Sequence, residues 1–160
     1  MRVEYINPFI ASLHHTFQTM LDCETQRGAP YLRTDGKADH CVSGVIGLSG
    51  LAVGTVVLNL SKEVALKAAS AMLMMEMTEL DADVIDAVGE LTNVVAGAAK
   101  AKLEEYHLSV SLPNVVTGQA HGIHFPSNVT PICVPFTTPW GAMVLEVGLT
   151  PVPVPETVDA

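Results

Sequence analysis

From residue 83 to about residue 105 runs one helical pattern, longer than any other in the chain, with its apolar residues on a single pole. Advancing about 100° per residue from Asp86 at zero puts Val84, Val88, Leu91 and Val95 within roughly 40° of the opposite pole. A rod of this kind needs an apolar bed, and strand-like runs on both sides supply one. Upstream, residues 41–48 and 54–60 flank a Ser49-Gly50 turn and read as an antiparallel hairpin. Downstream, residues 108–117, a short piece around Ile123, residues 131–136 and residues 141–149 are strand-like. The pattern predicts an α/β chain with a largely antiparallel sheet and long helices lying on it.

Two further helices precede the long one. Asn7-Pro8 reads as a helix start, with Asn7 as cap and Pro8 in the first helical position. Phe9, Leu13, Phe17, Met20 and Leu21 then recur at helical spacing. A weak extended stretch covers residues 24–33, before a turn at Thr34-Asp35-Gly36-Lys37. Ser61 is the expected cap of a second helix to about Met75, with Val64, Ala65, Ala68, Met72 and Met75 inward. The runs beginning at Gly54 and Gly141 share one alternation of apolar and polar residues. Two pseudo-repeated halves, each helix–strand–strand–strand, explain that match, and so does coincidence. Residues 1–150 form a single domain in this reading, and the Pro-rich residues 151–160 form a flexible, extended tail.

Aromatic residues make up only 5% of the 160, so Val, Leu, Ala and Met must fill the core. The formal net charge of −9, with basic residues scattered and never in a run, disfavours a nucleic-acid partner. No apolar stretch reaches bilayer length and no signal-like start is present, so neither membrane insertion nor export is expected. Cys23, Cys41 and Cys133 are distant and odd in number, and read as free thiols in a reducing cytoplasm.

The polar face of the long helix carries the chemistry worth weighing. Asp86, Glu90, Asn93 and Gly97 form one ridge, with Glu90 near +40°, Asn93 near −20° and Gly97 near +20°. Gly89, Ala96 and Gly97 are small, and glycine within a helix costs around 1 kcal/mol relative to alanine. Small residues beside Glu90 and Asn93 allow a partner surface to approach, with both side chains entering one pocket. An ordinary wet face whose glycines relieve internal crowding explains the same spacing. On spacing alone both readings stand.

Several blocks resemble the CheX group of chemotaxis phosphatases within the CheC/CheX/FliY family. They are Glu4-Tyr5-Ile6-Asn7-Pro8-Phe9, Val42-Ser43-Gly44-Val45-Ile46-Gly47-Leu48-Ser49-Gly50, and Gly89-Glu90-Leu91-Thr92-Asn93-Val94-Val95-Ala96-Gly97. Leu108-Ser109-Val110-Ser111-Leu112-Pro113 and Trp140-Gly141-Ala142-Met143-Val144-Leu145-Glu146-Val147-Gly148 complete the series, in order, over nearly the whole chain. The resemblance implies a CheC-like fold and hydrolysis of the aspartyl phosphate on a CheY-like response regulator. It implies a cytoplasmic homodimer that inserts an E-x-x-N helix into the regulator's active site. Asn93 would hold the attacking water and Glu90 would pair with the regulator's lysine, with Asp86, Gly89, Ala96, Gly97 and Lys100 meeting the partner. No metal or cofactor is expected on this chain, because the regulator brings its own magnesium ion. A non-catalytic, regulator-binding or flagellar-switch-like adaptor of the same fold is the alternative.

A second literal match, Glu4-Tyr5-Ile6-Asn7, is expected to straddle a helix start and to be coincidental. The family's proline downstream of the asparagine would be Pro113. His121 and His124, with two residues between them in a strand-like stretch, fall on opposite faces and read as surface or packed histidines. The cluster Met72, Met74, Met75 and Met77 has two readings, an adaptable binding surface or, the preferred one, the end of a core helix with some exposure at its tip.

Overall fold

In the computed structural model, described over residues 3–125 and 129–153, eight strands form one antiparallel sheet with three helices on one face. The order along the chain is α1 (Val3–Leu21), β1 (Gln26–Arg27), β2 (Tyr31–Leu32), β3 (Val42–Ser49), β4 (Ala52–Leu60), α2 (Lys62–Leu73) and α3 (Ala82–Ala101). A single 3-10 turn (Glu104–Tyr106) leads to β5 (Ser109–Val110), β6 (Asn114–Thr117), β7 (Ile132–Thr138) and β8 (Gly141–Pro151). Spatially the sheet runs β1-β7-β8-β4-β3-β5, with β2 also on β7 and β6 also on β3. The expected hairpin is β3–β4, in register from Val42 opposite Leu60 to Leu48 opposite Gly54. The stretch 108–117 is two short strands rather than one, and Gly122 forms only an isolated bridge to Lys37.

The strand order reads the same from either end, with two short strands, then one long strand, then the central pair. That central pair is β4 and β8, the two runs that resemble each other in sequence. Leu58 and Leu145, each the fifth residue of its run, are register partners. A pseudo-two-fold axis therefore passes between them, as duplicated halves require. Beyond residue 153 the expected tail lies outside the described residues.

Leu58, Leu145, Val56, Val147, Met143 and Leu60 point from the central strands into the helical layer. There they meet Phe9, Leu13 and Phe17 of α1, Val64, Ala65 and Ala68 of α2, and Val84, Val88, Leu91 and Val95 of α3. Burial of such side chains stabilises by about 1.5–3 kcal/mol each. On the opposite face of the sheet Glu146 is buried and meets Arg33 Nε at 2.6 Å, while Arg33 also holds Asp39 at 2.8 Å. Burial beside Glu146 pushes the Cys133 thiol up to about 12, so it is an inert thiol at neutral pH.

Three expectations need correction. The helix α1 has already begun at Val3, so Asn7 is a helical residue rather than its cap, and Pro8 lies inside. Pro8 lacks the N–H that would bond to the Glu4 carbonyl, but its fixed φ is compatible with helix. Glu4 and Asn7 consequently share an exposed helical face instead of straddling a boundary. Second, Met20 is 45% exposed. Third, α2 begins on the expected cap, with Ser61 Oγ accepting from the Val64 amide at 3.3 Å, but stops at Leu73. Met74 turns into the left-handed region at φ 55°, so Met75 leaves the helix and is exposed rather than inward.

Candidate functional site

The presentation of α3 is fixed at its start, on its inner face and along one flank. At the start, Asp81 caps the helix, its side chain accepting from the Val84 amide at 3.0 Å. The inner face follows the sequence period, with Val84, Val88, Leu91, Thr92 and Val95 buried. Thr92 sets how closely the rod lies on the sheet. Its hydroxyl donates to the Val88 carbonyl at 2.8 Å, and its Oγ1 and Cβ lie over Gly44 of β3. A Cβ on Gly44 would stand 1.9 Å from Thr92 Oγ1, so no other residue at 44 admits this approach. Against its neighbour helix, the buried hydroxyl of Ser12 on α1 donates to the Val95 carbonyl at 2.6 Å.

With the inner face locked, Asp86, Glu90, Asn93, Gly97 and Lys100 are exposed, as the angular reading expects. Gly89 and Ala96 are not. Both are buried, and neither offers surface to a partner. The cause is a wall that helical periodicity cannot register: Pro113 and Val115, before and within β6, close over Gly89, where an added Cβ would lie 3.4 and 3.5 Å from them. Gly97 behaves in the opposite way, because a Cβ there would meet nothing within 4 Å. Gly89 is covered at ordinary contact distance, and Gly97 has open space above it, so Gly97 has no internal reason to be a glycine.

Among the described residues, the side chains of Asp86, Glu90 and Asn93 make no hydrogen bond or ion pair. Asp86 and Glu90 stand at the rim of an open cleft of about 460 Å³, and Asn93 lies exposed outside it. The cleft lining includes Met20 from the end of α1, Leu73 and Met74 from the end of α2, and Asp83, Asp86 and Glu90 from α3. Asn93 follows Glu90 by one turn, with the open space over Gly97 one turn further on. An uncharged amide with donors and an acceptor, a carboxylate beside it and a clear approach can order a water and hold a cation. In the apolar share of the cleft, Met20 and Leu73 were missed from sequence, while Met74 belongs to the methionine cluster already weighed as a binding surface. The signal was the run of methionines after Met72, too long for one helical stripe.

The alternative centres lead elsewhere. His121 donates from Nδ1 to the Gly118 carbonyl and accepts at Nε2 from Ser43 Oγ, both at 2.7 Å, so its ring nitrogens are occupied structurally. No group of three metal-ligating side chains occurs among the described residues. No helix among them is long and apolar enough to cross a membrane.

Comparison with known proteins gives concordant results. The family model described as chemotaxis phosphatase CheX matches residues 42–137. A curated relative from Thermotoga maritima, the CheY-P phosphatase CheX, is 34% identical over 122 residues, covering 74% of this chain and 79% of its own. Among solved structures, a CheC-like superfamily protein from Shewanella sp. PV-4 superposes with a TM-score of 0.85 at 34% identity, covering 94% of this chain and 99% of that one. The chemotaxis protein CheX from Desulfovibrio desulfuricans gives 0.84 at 30% identity, covering 92% and 100%.

Proposed function

The chain belongs to the CheX family of chemotaxis phosphatases, and from that premise we propose that it hydrolyses the aspartyl phosphate of a CheY-like response regulator. The observation that carries the proposal is the pair Glu90 and Asn93, one turn apart and outward on a rigid helix, unpartnered within the chain, with Glu90 at the mouth of a cleft. In this reaction a water oxygen attacks phosphorus, the bond from phosphorus to the aspartyl oxygen breaks, and inorganic phosphate and a free carboxylate leave. The water's proton passes to the phosphate oxygens or to solvent.

An acyl phosphate is already activated, so this chain needs neither a nucleophile nor a metal of its own. The receiver's acidic pocket carries the magnesium ion. What remains is to hold water in line, and the Asn93 carboxamide does so without changing protonation. Glu90 pairs with a cation of the receiver and sets the helix in register. Gly97 leaves space for the receiver to close over Asn93, and Asp86 and Lys100 flank the contact. Activity belongs in the cytoplasm, where receivers are phosphorylated.

A homodimer completes the proposal. The β6 strand pairs with β3 alone among the described strands, and its four residues carry no charge that would guard an edge.

The test is phosphate release from phosphorylated receivers. Asn93→Ala should lower turnover by about 100-fold or more while binding is kept. Glu90→Ala should weaken binding as well, and exchanging Glu90 and the receiver's cation should restore part of it. Wild-type activity surviving in Asn93→Ala would refute the role given to Asn93, and binding without any turnover in the wild type would leave the adaptor role instead.

A further inference from the structure

We propose that Met20, Leu73 and Met74 form an apolar landing surface for the receiver domain beside the Glu90–Asn93 ridge. The inference rests on the functional reading above and adds to it a place and a chemistry.

Two independent observations lead here. The first is continuity. Met20, Leu73 and Met74 come from the ends of two helices, yet they line the same cleft as Asp83, Asp86 and Glu90. Any molecule that reaches Glu90 through that cleft slides over them. They are 45%, 40% and 92% exposed, which is uncommon for side chains of this kind gathered in one place.

The second is the backbone beneath Met74. This residue closes α2 in the left-handed conformation, at φ 55° and ψ 36°, where glycine is the ordinary choice. Its amide donates to the Ser70 carbonyl, so the turn itself needs only the backbone. A methionine there costs stability, and its side chain, almost wholly in water, returns nothing to the fold. Placed against another molecule the same side chain is well suited, being unbranched and polarisable.

Charge decides the occupant. Asp83, Asp86 and Glu90 make the cleft acidic on one side while the methionines and leucine make it apolar on the other. A second copy of this chain, itself at −9, would bring the same carboxylates against these. A receiver that presents a cation beside apolar side chains fits both halves of the cleft. Methionine's adaptability would allow more than one such surface to seat, with leucine and methionine against the receiver's apolar side chains and Glu90 on its cation.

The experiment measures two quantities on one set of variants: affinity for a CheY-type receiver domain loaded with beryllofluoride, and steady-state phosphate release from the phosphorylated receiver. The variants are Met74→Gln, Leu73→Gln and the triple change with Met20→Gln. Leu51→Gln serves as control, an exposed apolar residue whose amide bonds to the Tyr106 carbonyl beyond the far end of α3. The triple variant should raise Kd and KM roughly tenfold or more, with kcat held within about twofold. Met74→Gly should raise Tm by a few degrees yet weaken binding, a split that a purely structural residue would not show.

Unchanged affinity in the triple variant overturns the landing surface and leaves the phosphatase reading standing. Unchanged affinity together with a shift from dimer to monomer overturns it too, and gives the surface to self-association. Weakened binding in the triple variant, beside a wild type that binds but never releases phosphate, upholds the surface and removes the catalytic reading. A wild type that binds no receiver at all removes both.

Discussion

Gly44 and Thr92 show how much a single pair of residues controls. The glycine has no packing role of its own, yet its missing methyl group allows α3 to lie close enough for Thr92 to be buried. Asn93 follows Thr92 in sequence, so the depth of one sets the height and aim of the other. Gly44→Ala would force a Cβ to within 2.8 Å of the Thr92 Cβ, and overpacking of this kind costs about 1–3 kcal/mol. The expected outcome is a lower Tm in calorimetry together with reduced turnover, although residue 44 touches no partner. A lower Tm with full turnover would mean that the helix tolerates the shift. Nothing in the sequence singled out this contact, because a glycine in an apolar strand and a threonine in an apolar stripe both look ordinary until the elements meet.

At the scale of elements, α3 was the most legible part of the chain. Its buried stripe and its exposed ridge follow from a 3.6-residue period, whereas the cap at Asp81 was not read and the helix ends at Ala101 rather than about residue 105. What the period left out was the neighbour across the flank, and so Gly89 and Ala96 were placed in the open when Pro113, Val115 and the core cover them. The α1 start was misjudged for a local reason. Pro8 is compatible with the first helical position, and only the tertiary packing of Tyr5 and Ile6 draws the helix back past it. The ends of α1 and α2 were read as core because methionine is apolar, a property that says nothing about which side of the helix is covered. Gly97 gives the test at this scale. Gly97→Ala should stabilise the helix by about 1 kcal/mol, since an added Cβ meets nothing, and raise Tm by roughly 2–4 °C. The same change should weaken receiver binding in titration, because the methyl group fills the approach to Asn93. A variant that is more stable and equally tight-binding would leave Gly97 without a functional role.

For the whole molecule, acidity and symmetry have separate consequences. Two copies at −9 repel each other, and salt shortens the reach of that repulsion from about 30 Å at 0.01 M to about 10 Å at 0.1 M. If uncharged β6 edges join the copies, sedimentation should show the dimer tightening as salt rises over this range. Weakening with salt would point instead to ion pairs across the interface. The pseudo-two-fold axis between Leu58 and Leu145 has a different implication. Since β4 and β8 stand in for one another, a gene fragment ending after β4 would carry half a sheet with its widest seam exposed, and a sister fragment could complete it. The modern chain then looks like two ancestral pieces soldered in tandem. Such an origin leaves one piece free to keep the old framework while the other acquires a task.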